Sequence, residues 1–328
     1  MYVYMTAILP FDPREIWLAR SRIKGMVLRT PLIHSPSLSR LTGGDIYLKM
    51  ECWQLTGSFK VRGALNMVAA LTPEERGRGL VTASSGNHGT GLAYASAQFG
   101  SPPTRVYLPE GADPKKVEKI QAYGADTVFF GESYPFSLAE AQSYAEKVNA
   151  TYVHSHSHPL IIWGQGTIGL EVMENLPNPD LVVVPIGGGG LISGISTAVK
   201  QASPDARVVG VEPSAAPGAF LSLRDGCCRE DIEIKPSVAD GLLGTLTPLT
   251  YEVCRRNVES VAVVEDAEVM NAMRVLQRKE QLMVEGSASV GLAAILSGKI
   301  DVDGMKTVLI LTGRNIDADR YNKIMNAS

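Results

Sequence analysis

Eight short apolar runs, "IYLKM", "GLVTAS", "TRVYLP", "DTVFFG", "LVVVPI", "RVVGVEP", "SVAVV" and "TVLILTG", alternate along the chain with longer stretches of helical period. That alternation narrows the choice of fold sharply, because strands separated by helices pair in parallel and carry their crossover helices on both faces of a sheet. Val182 to Ile186 and Val308 to Leu311 are apolar throughout, as central strands covered on both sides require. A first helix is expected from Pro13 to about Lys24. No internal repeat, long linker or low-complexity tract interrupts the pattern. The chain is therefore read as α/β, with open, mostly parallel twisted sheets.

A length of 328 residues leaves room for about two domains. Compact strand, turn and helix units between Gly79 and Gly131, closed by Gly100, Gly111 and Gly124, suggest a small lobe set into a larger one built from both ends of the chain. The expected small domain is 79–156, and 1–78 with 157–328 form the large one. Ligands in such folds gather at the carboxyl ends of strands, often between two lobes.

Composition excludes several functions. A formal charge of −3 and a pI near 6.0 provide no basic footprint for nucleic acid. No stretch reaches the roughly 18 apolar residues of a membrane helix, and "MYVYMTAILPFDPREIW" has no cation before Arg14, so a secretory signal is not expected. The expected setting is the cytoplasm, with no membrane partner. Cys227 and Cys228 are adjacent, Cys52 and Cys254 isolated, and no CxxC occurs, which leaves neither a disulfide framework nor a zinc ribbon.

Three stretches carry chemistry. In "LTGSFKVRGA", Val61, Ala64, Leu65, Val68 and Leu71 mark one apolar helix face, which puts Lys60 in the first turn. There the positive end of the helix dipole disfavours the cation and relatively favours the neutral amine, a nucleophile for carbonyl compounds. The alternative is a solvated lysine whose stem covers apolar surface. In "PIGGGGLISG", an apolar strand runs into Gly187, Gly188, Gly189 and Gly190 before a helix from Leu191. Four residues without Cβ let backbone N–H groups close on a phosphate at a helix start. Ile195 follows Gly194 where a Walker lysine would stand, and the spacing does not satisfy GxGxxG. In "TASSGNHGTGLAYA", Ser84, Ser85, Asn87 and His88 gather at another helix start, suited to a carboxylate or a ring oxygen. A nucleophilic amine, a phosphate cup without a nucleotide motif and a carboxylate cup together suit pyridoxal 5′-phosphate, an aldehyde joined to a phosphate that handles amino acids.

The segments "GSFKVRGALN", "SSGNHG", "GQGTIGLEV", "PIGGGGLISG", "VEGSASVG" and "LTGRN" stand in the same order as in the threonine/serine dehydratase and serine racemase family, and span nearly the whole chain. The chain resembles a fold-type II pyridoxal-phosphate enzyme of that family, tryptophan synthase β-like, with the cofactor between two lobes. The resemblance implies that Lys60 joins the cofactor aldehyde and Phe59 packs near its ring. It implies that Asn87 meets the ring 3′-oxygen, that Gly187 to Gly190 with Leu191 hold the phosphate, and that Glu285 lies near the ring. Thr312 falls beside the pyridine nitrogen, where a hydroxyl cannot supply the negative charge that keeps this nitrogen protonated. Ser84, Ser85, Asn87 and His88 form the cup for the substrate carboxylate, and Ser85 also matches the serine that faces Cα opposite the lysine in racemases.

The implied activity is that of an ammonia-lyase. Lys60 removes the Cα proton of L-threonine or L-serine, the β-hydroxyl leaves, and a 2-oxo acid and ammonia result. Within the family the alternatives are serine racemase, threo-3-hydroxyaspartate dehydratase and hydroxyectoine-pathway dehydratase; from another class, a non-catalytic amino-acid-binding regulator. The resemblance also implies a homodimer. It leaves a cation, divalent or monovalent, open: Glu212 matches one family ligand, but "PSAAPGA" offers no second acid and puts Gly218 about where it would stand. "HSHSH" sets His154, His156 and His158 at alternate positions, which invites a zinc reading, but it corresponds to the interlobe hinge, where His156 could touch substrate. The chain stops after "LTGRNIDADRYNKIMNAS", so no regulatory module like that of biosynthetic threonine dehydratases is expected.

Overall fold

The apolar run at Leu181–Pro185 is buried at every residue, and its side chains divide between two cores. Leu181 and Val183 join Val209, Val211, Leu309 and the helices at Asp266–Glu280 and Gly286–Leu296. Val182 and Val184 join Val208, Val308, Ile310 and the helices at Pro159–Asn175 and Gly190–Ala202. A strand whose alternate side chains point to opposite faces can be apolar throughout only when both faces are covered, and here they are.

The computed structural model describes residues 12–326 apart from 85 and 113. Its strands are β1 (Leu32–His34), β2 (Asp45–Lys49), β3 (Leu80–Ala83), β4 (Thr104–Leu108), β5 (Asp126–Phe129), β6 (Thr151–Tyr152), β7 (Leu181–Pro185), β8 (Arg207–Pro213), β9 (Ser260–Val264) and β10 (Lys306–Ile310). They form a six-stranded sheet in the order β1-β2-β10-β7-β8-β9 and a four-stranded sheet in the order β5-β4-β3-β6. All neighbours are parallel except β1 on β2. The eight apolar runs are β2 to β5 and β7 to β10. Periodicity missed β1 and β6, which at three and two residues are too short to show a period. The first helix runs Arg14–Arg22, inside the expected range.

The four-stranded sheet has its own cores. Val81, Ala83 and Tyr107 pack on Ala141 and Ala145 of the helix Tyr134–Lys147, and Val106 and Leu108 pack on Ala93, Val117 and Ile120 on the other face. From β6 the chain crosses through residues 153–158 to the helix Pro159–Asn175 under the larger sheet. The crossing lies beside the carboxyl ends of β3 and β7, where the two glycine-containing turns lead into helices. Among the described residues no helix is long and apolar enough to cross a membrane, and all four cysteines are free.

Candidate active site

The turn before Lys60 is fastened to the end of β10. Phe59 N–H donates to Thr312 O at 3.1 Å, Arg314 N–H donates to Gly57 O at 2.9 Å, and Ser58 bridges Gly313. Gly57 has φ +77° and a Cβ there would lie 2.5 Å from Asn315 Oδ1, so both its left-handed backbone and its neighbour demand glycine. The helix Lys60–Ala70 follows at once, with Val61, Ala64, Leu65 and Val68 fully buried. Lys60 is thereby its first residue, and its Nζ donates to Ser155 O at 3.1 Å and lies 5.3 Å from the Phe59 ring centroid. Burial lowers the amine's pKa to about 8, partly opposed by the Glu285 carboxylate.

The four-glycine loop, expected to hold the phosphate, follows the end of β7. Gly189 is the N-cap of the helix Gly190–Ala202 with φ +81°. A Cβ on Gly188 would fall inside 3.0 Å of Cγ, Cδ2 and Cε1 of His156 at once, so the imidazole lies flat across that glycine. Leu191, 6% exposed, is held in the core under the loop. The loop thus packs closely under the 153–158 crossing, since a Cβ on Gly190 would also lie 2.9 Å from His156 O, and it leads straight into a helix start, where unpaired N–H groups favour an anion.

Asn87 opens the helix Asn87–Gln98 after a glycine N-cap that offers no side chain. Its Nδ2 donates to Glu285 Oε1 at 2.9 Å, and its Oδ1 accepts from Asn315 Nδ2 at 2.6 Å. Glu285 Oε2 accepts from Asn315 N–H at 3.0 Å. Burial and then the Asp240 charge push the Glu285 carboxyl up to about 7, against the Asn315 and Asn87 donors. Ser84 Oγ accepts from Gly86 N–H at 3.3 Å. His88, 3% exposed, turns its Nε2 to Val153 O at 3.1 Å and is driven down to about 3 by burial, then by Lys60. Its ring is therefore neutral and held by the backbone, while its own N–H lies ahead of the first helical hydrogen bond, Thr90 N–H to Gly86 O. Ser85 lies outside the described residues.

Thr312, 2% exposed, follows β10, and its Oγ1 is buried with no partner among the described residues, as is Ser58 Oγ. An orphaned buried hydroxyl in a native site calls for a missing partner. Two further residues at the site, Asn315 and Ser155, carry no role in the sequence pattern. Asn315 stands inside the quoted "LTGRN", and an amide after a strand-end glycine turn was the available signal; Ser155 acts through its carbonyl, which no side-chain pattern reveals.

Each histidine of the crossing has its own hydrogen-bond partners, and the His154 and His156 rings meet edge to face at 4.5 Å. His154 Nδ1 accepts the N–H groups of His156 and Ser157 at 3.2 and 2.9 Å, His156 Nδ1 meets Ser155 Oγ at 2.9 Å, and His158 Nδ1 caps the next helix at Leu160 N–H. Burial lowers the pKa of all three. Glu212 accepts N–H groups from Ala219 and Phe220 at 3.0 and 2.7 Å, capping the helix Gly218–Asp225; burial raises its carboxyl to about 7. Among the described residues no group of three or more His, Cys, Asp or Glu side chains gathers as a metal would need.

These residues fit pyridoxal phosphate. Lys60 offers an amine of lowered pKa, the four glycines form a backbone that His156, Leu242 and Leu246 approach too closely for any side chain, and the Thr312 hydroxyl is buried with no partner among the described residues. Comparison with known proteins agrees. The family model "Pyridoxal-phosphate dependent enzyme" matches residues 23–313. The L-threonine ammonia-lyase of Thermotoga maritima is 43% identical over 313 residues, covering 95% of this chain and 77% of that protein. The L-threonine dehydratase catabolic TdcB of Escherichia coli is 36% identical over 325 residues, 98% of each chain. Maize serine racemase superposes with a TM-score of 0.91 at 34% identity, covering 96% of both chains. On a match of that extent, the chain belongs to the family of pyridoxal-phosphate-dependent enzymes, in its fold-type II group.

Proposed function

We propose that the protein is an ammonia-lyase for 3-hydroxy amino acids that converts L-threonine or L-serine to the 2-oxo acid and ammonia by β-elimination. The observation that carries this reading is the Lys60 amine, deep enough for its pKa to fall to about 8 and held by the Ser155 carbonyl. The names of the relatives from Thermotoga maritima and Escherichia coli support the substrate class.

When bound, pyridoxal phosphate supplies the conjugated ring that takes up the electron pair left at Cα. The chain supplies the rest. Lys60 is the base for the Cα proton, since its amine lies in the cleft and the neutral form is accessible near neutral pH. The N–H groups at the start of the helix Asn87–Gln98 would hold the substrate carboxylate, and the sequence resemblance adds Ser84 and Ser85 to that role. Asn87 and Glu285, joined by their own hydrogen bond, would meet the ring oxygen side of the group, and Thr312, if it meets the ring nitrogen, would add no negative charge there. A ring nitrogen left without a carboxylate partner makes a weaker electron sink, which favours prompt loss of a β-leaving group over a long-lived carbanion. The Cβ–O bond breaks and water departs; water is taken up again as the C–N bond is hydrolysed, so the net loss is ammonia.

Release of ammonia and 2-oxo acid across a panel of 3-hydroxy amino acids tests the proposal. Turnover of L-threonine or L-serine supports it, and turnover of 3-hydroxyaspartate alone would move the chain to an acidic substrate. The superposition on maize serine racemase favours racemisation as a second reading, carried by Ser85: Ser85→Ala should abolish it with the cofactor still bound. The same reading makes the protein a cytoplasmic homodimer, and light scattering at the mass of one 35.2 kDa chain would refute the dimer.

A further inference from the structure

The helix Pro114–Ala122 of the four-stranded lobe reaches across to the six-stranded lobe with two lysines one turn apart. Lys116 Nζ lies 3.2 Å from Asp240 Oδ2, and Lys119 Nζ lies 2.7 Å from Asn315 Oδ1. The second contact continues inward. Asn315 Nδ2 donates to Thr56 O at 2.9 Å and to Asn87 Oδ1 at 2.6 Å, and Asn87 Nδ2 donates to Glu285 Oε1 at 2.9 Å.

The direction of this chain follows from its two ends. An ammonium has three donors and no acceptor, so the Asn315 atom facing Lys119 must be the carbonyl oxygen. The Thr56 carbonyl can only accept, so the atom facing it must be the Asn315 amide nitrogen. These two constraints agree and fix which way the amide points, which is otherwise a matter of the network around it. The second N–H of Asn315 then meets the Asn87 oxygen, and the Asn87 nitrogen is turned toward Glu285 and the cleft with one N–H left to give.

We propose that Lys119 is a positioning residue for the cofactor: its ammonium orients and polarises an amide relay, Asn315 then Asn87, that presents an Asn87 N–H to the cofactor's ring oxygen. The inference rests on the reading of Asn87 as the ring-oxygen contact. Lys119 touches neither cofactor nor substrate and acts through the two amides. A hydrogen bond from a charged donor is among the stronger ones in a protein, and neighbouring bonds in a chain polarise one another. Loss of the first link therefore weakens the last.

The test uses Lys119→Met holoprotein, with the absorption spectrum of the bound cofactor and the dissociation constant of pyridoxal phosphate as readouts. The expected result is a displaced visible band and a dissociation constant raised about tenfold, with both restored toward the parent by Lys119→Arg, which keeps a charged donor. Lys116→Met serves as the control for lobe contact, because Asp240 keeps Arg320 at 3.0 Å and Lys116 reaches Glu285 through its charge alone; its spectrum is expected to shift less than that of Lys119→Met. An unchanged spectrum and affinity in Lys119→Met, with both changed in Asn87→Ala, would overturn the role of Lys119 and leave that of Asn87 standing. A shift in Lys116→Met as large as in Lys119→Met would also overturn it, since lobe contact would then explain both. No effect of Asn87→Ala would remove the ring-oxygen reading, and the relay with it.

Discussion

Replacing Arg62 by methionine should cost the fold several kcal/mol without touching the cofactor cleft. Arg62 stands two residues after Lys60 and is fully buried, as are Lys49 and Glu51, with Glu171 7% exposed. Its guanidinium donates twice to Glu51, at 2.8 and 2.8 Å, and twice to Glu171, at 2.7 and 2.9 Å, and reaches Thr167 Oγ1 and Leu28 O at 3.1 and 3.2 Å. Lys49 donates to Glu171 and, at 2.6 Å, to Thr30 O. Two cations and two anions make the cluster neutral. Burial pushes the Glu171 carboxyl up, but Arg62 and Lys49 more than offset this and hold it below the usual carboxylate range. Arg62→Met leaves two buried carboxylates facing one ammonium. Breaking a buried, hydrogen-bonded ion pair from one side costs about 3–5 kcal/mol. With an unfolding entropy of about 2.1 cal/mol/K per residue over this length, 4 kcal/mol lowers Tm by roughly 6 °C. Adding Glu171→Gln restores neutrality and should recover part of that loss, a coupling the double-mutant cycle measures. Thermal unfolding of the four proteins is the assay. A Tm within about 1 °C of the parent for Arg62→Met, or a double variant less stable than the sum of the singles, would refute the reasoning.

The lowered Lys60 pKa sets a pH window. At pH 7 a pKa of about 8 leaves about one amine in ten neutral, against roughly one in three thousand for an ordinary lysine; only the neutral amine attacks an aldehyde, so capture of pyridoxal phosphate by apoprotein should accelerate as pH rises and level off above a midpoint near 8. A midpoint of 10 or higher in stopped-flow absorbance would refute it. Thr312→Val removes a buried hydroxyl that has no partner among the described residues, so apoprotein should gain about 1 kcal/mol in unfolding experiments while cofactor affinity falls about fivefold; a less stable apoprotein with unchanged affinity is the contrary result. In Gly188→Ala the new methyl group must displace the His156 ring, an overpacking of about 1–3 kcal/mol placed on the phosphate cup, so equilibrium dialysis should show weakened cofactor binding, and parent-like affinity would remove His156 from that position.

Local sequence was enough wherever the physics is local. The apolar runs of β7 and β10 declared a sheet covered on both faces, because a strand's side chains alternate and nothing polar interrupts either side. The period after Lys60 put that lysine at a helix start, and four glycines after β7 declared a close backbone approach. Tertiary structure decided what those pieces meet. The low pKa of Lys60 comes first from its depth in the cleft, which no spacing encodes. Asn87 finds Glu285 and Asn315 across separations of 198 and 228 residues, and His156 finds Gly188 only because the chain crosses between the sheets beside the end of β7. Glu212, matched by position to a metal ligand, is turned by packing onto the N–H groups of a helix start. Periodicity records which face of an element is buried; the partner on that face is set by how the elements pack, and in this protein the hydrogen-bonded groups of the site come from segments that only the joined lobes bring together.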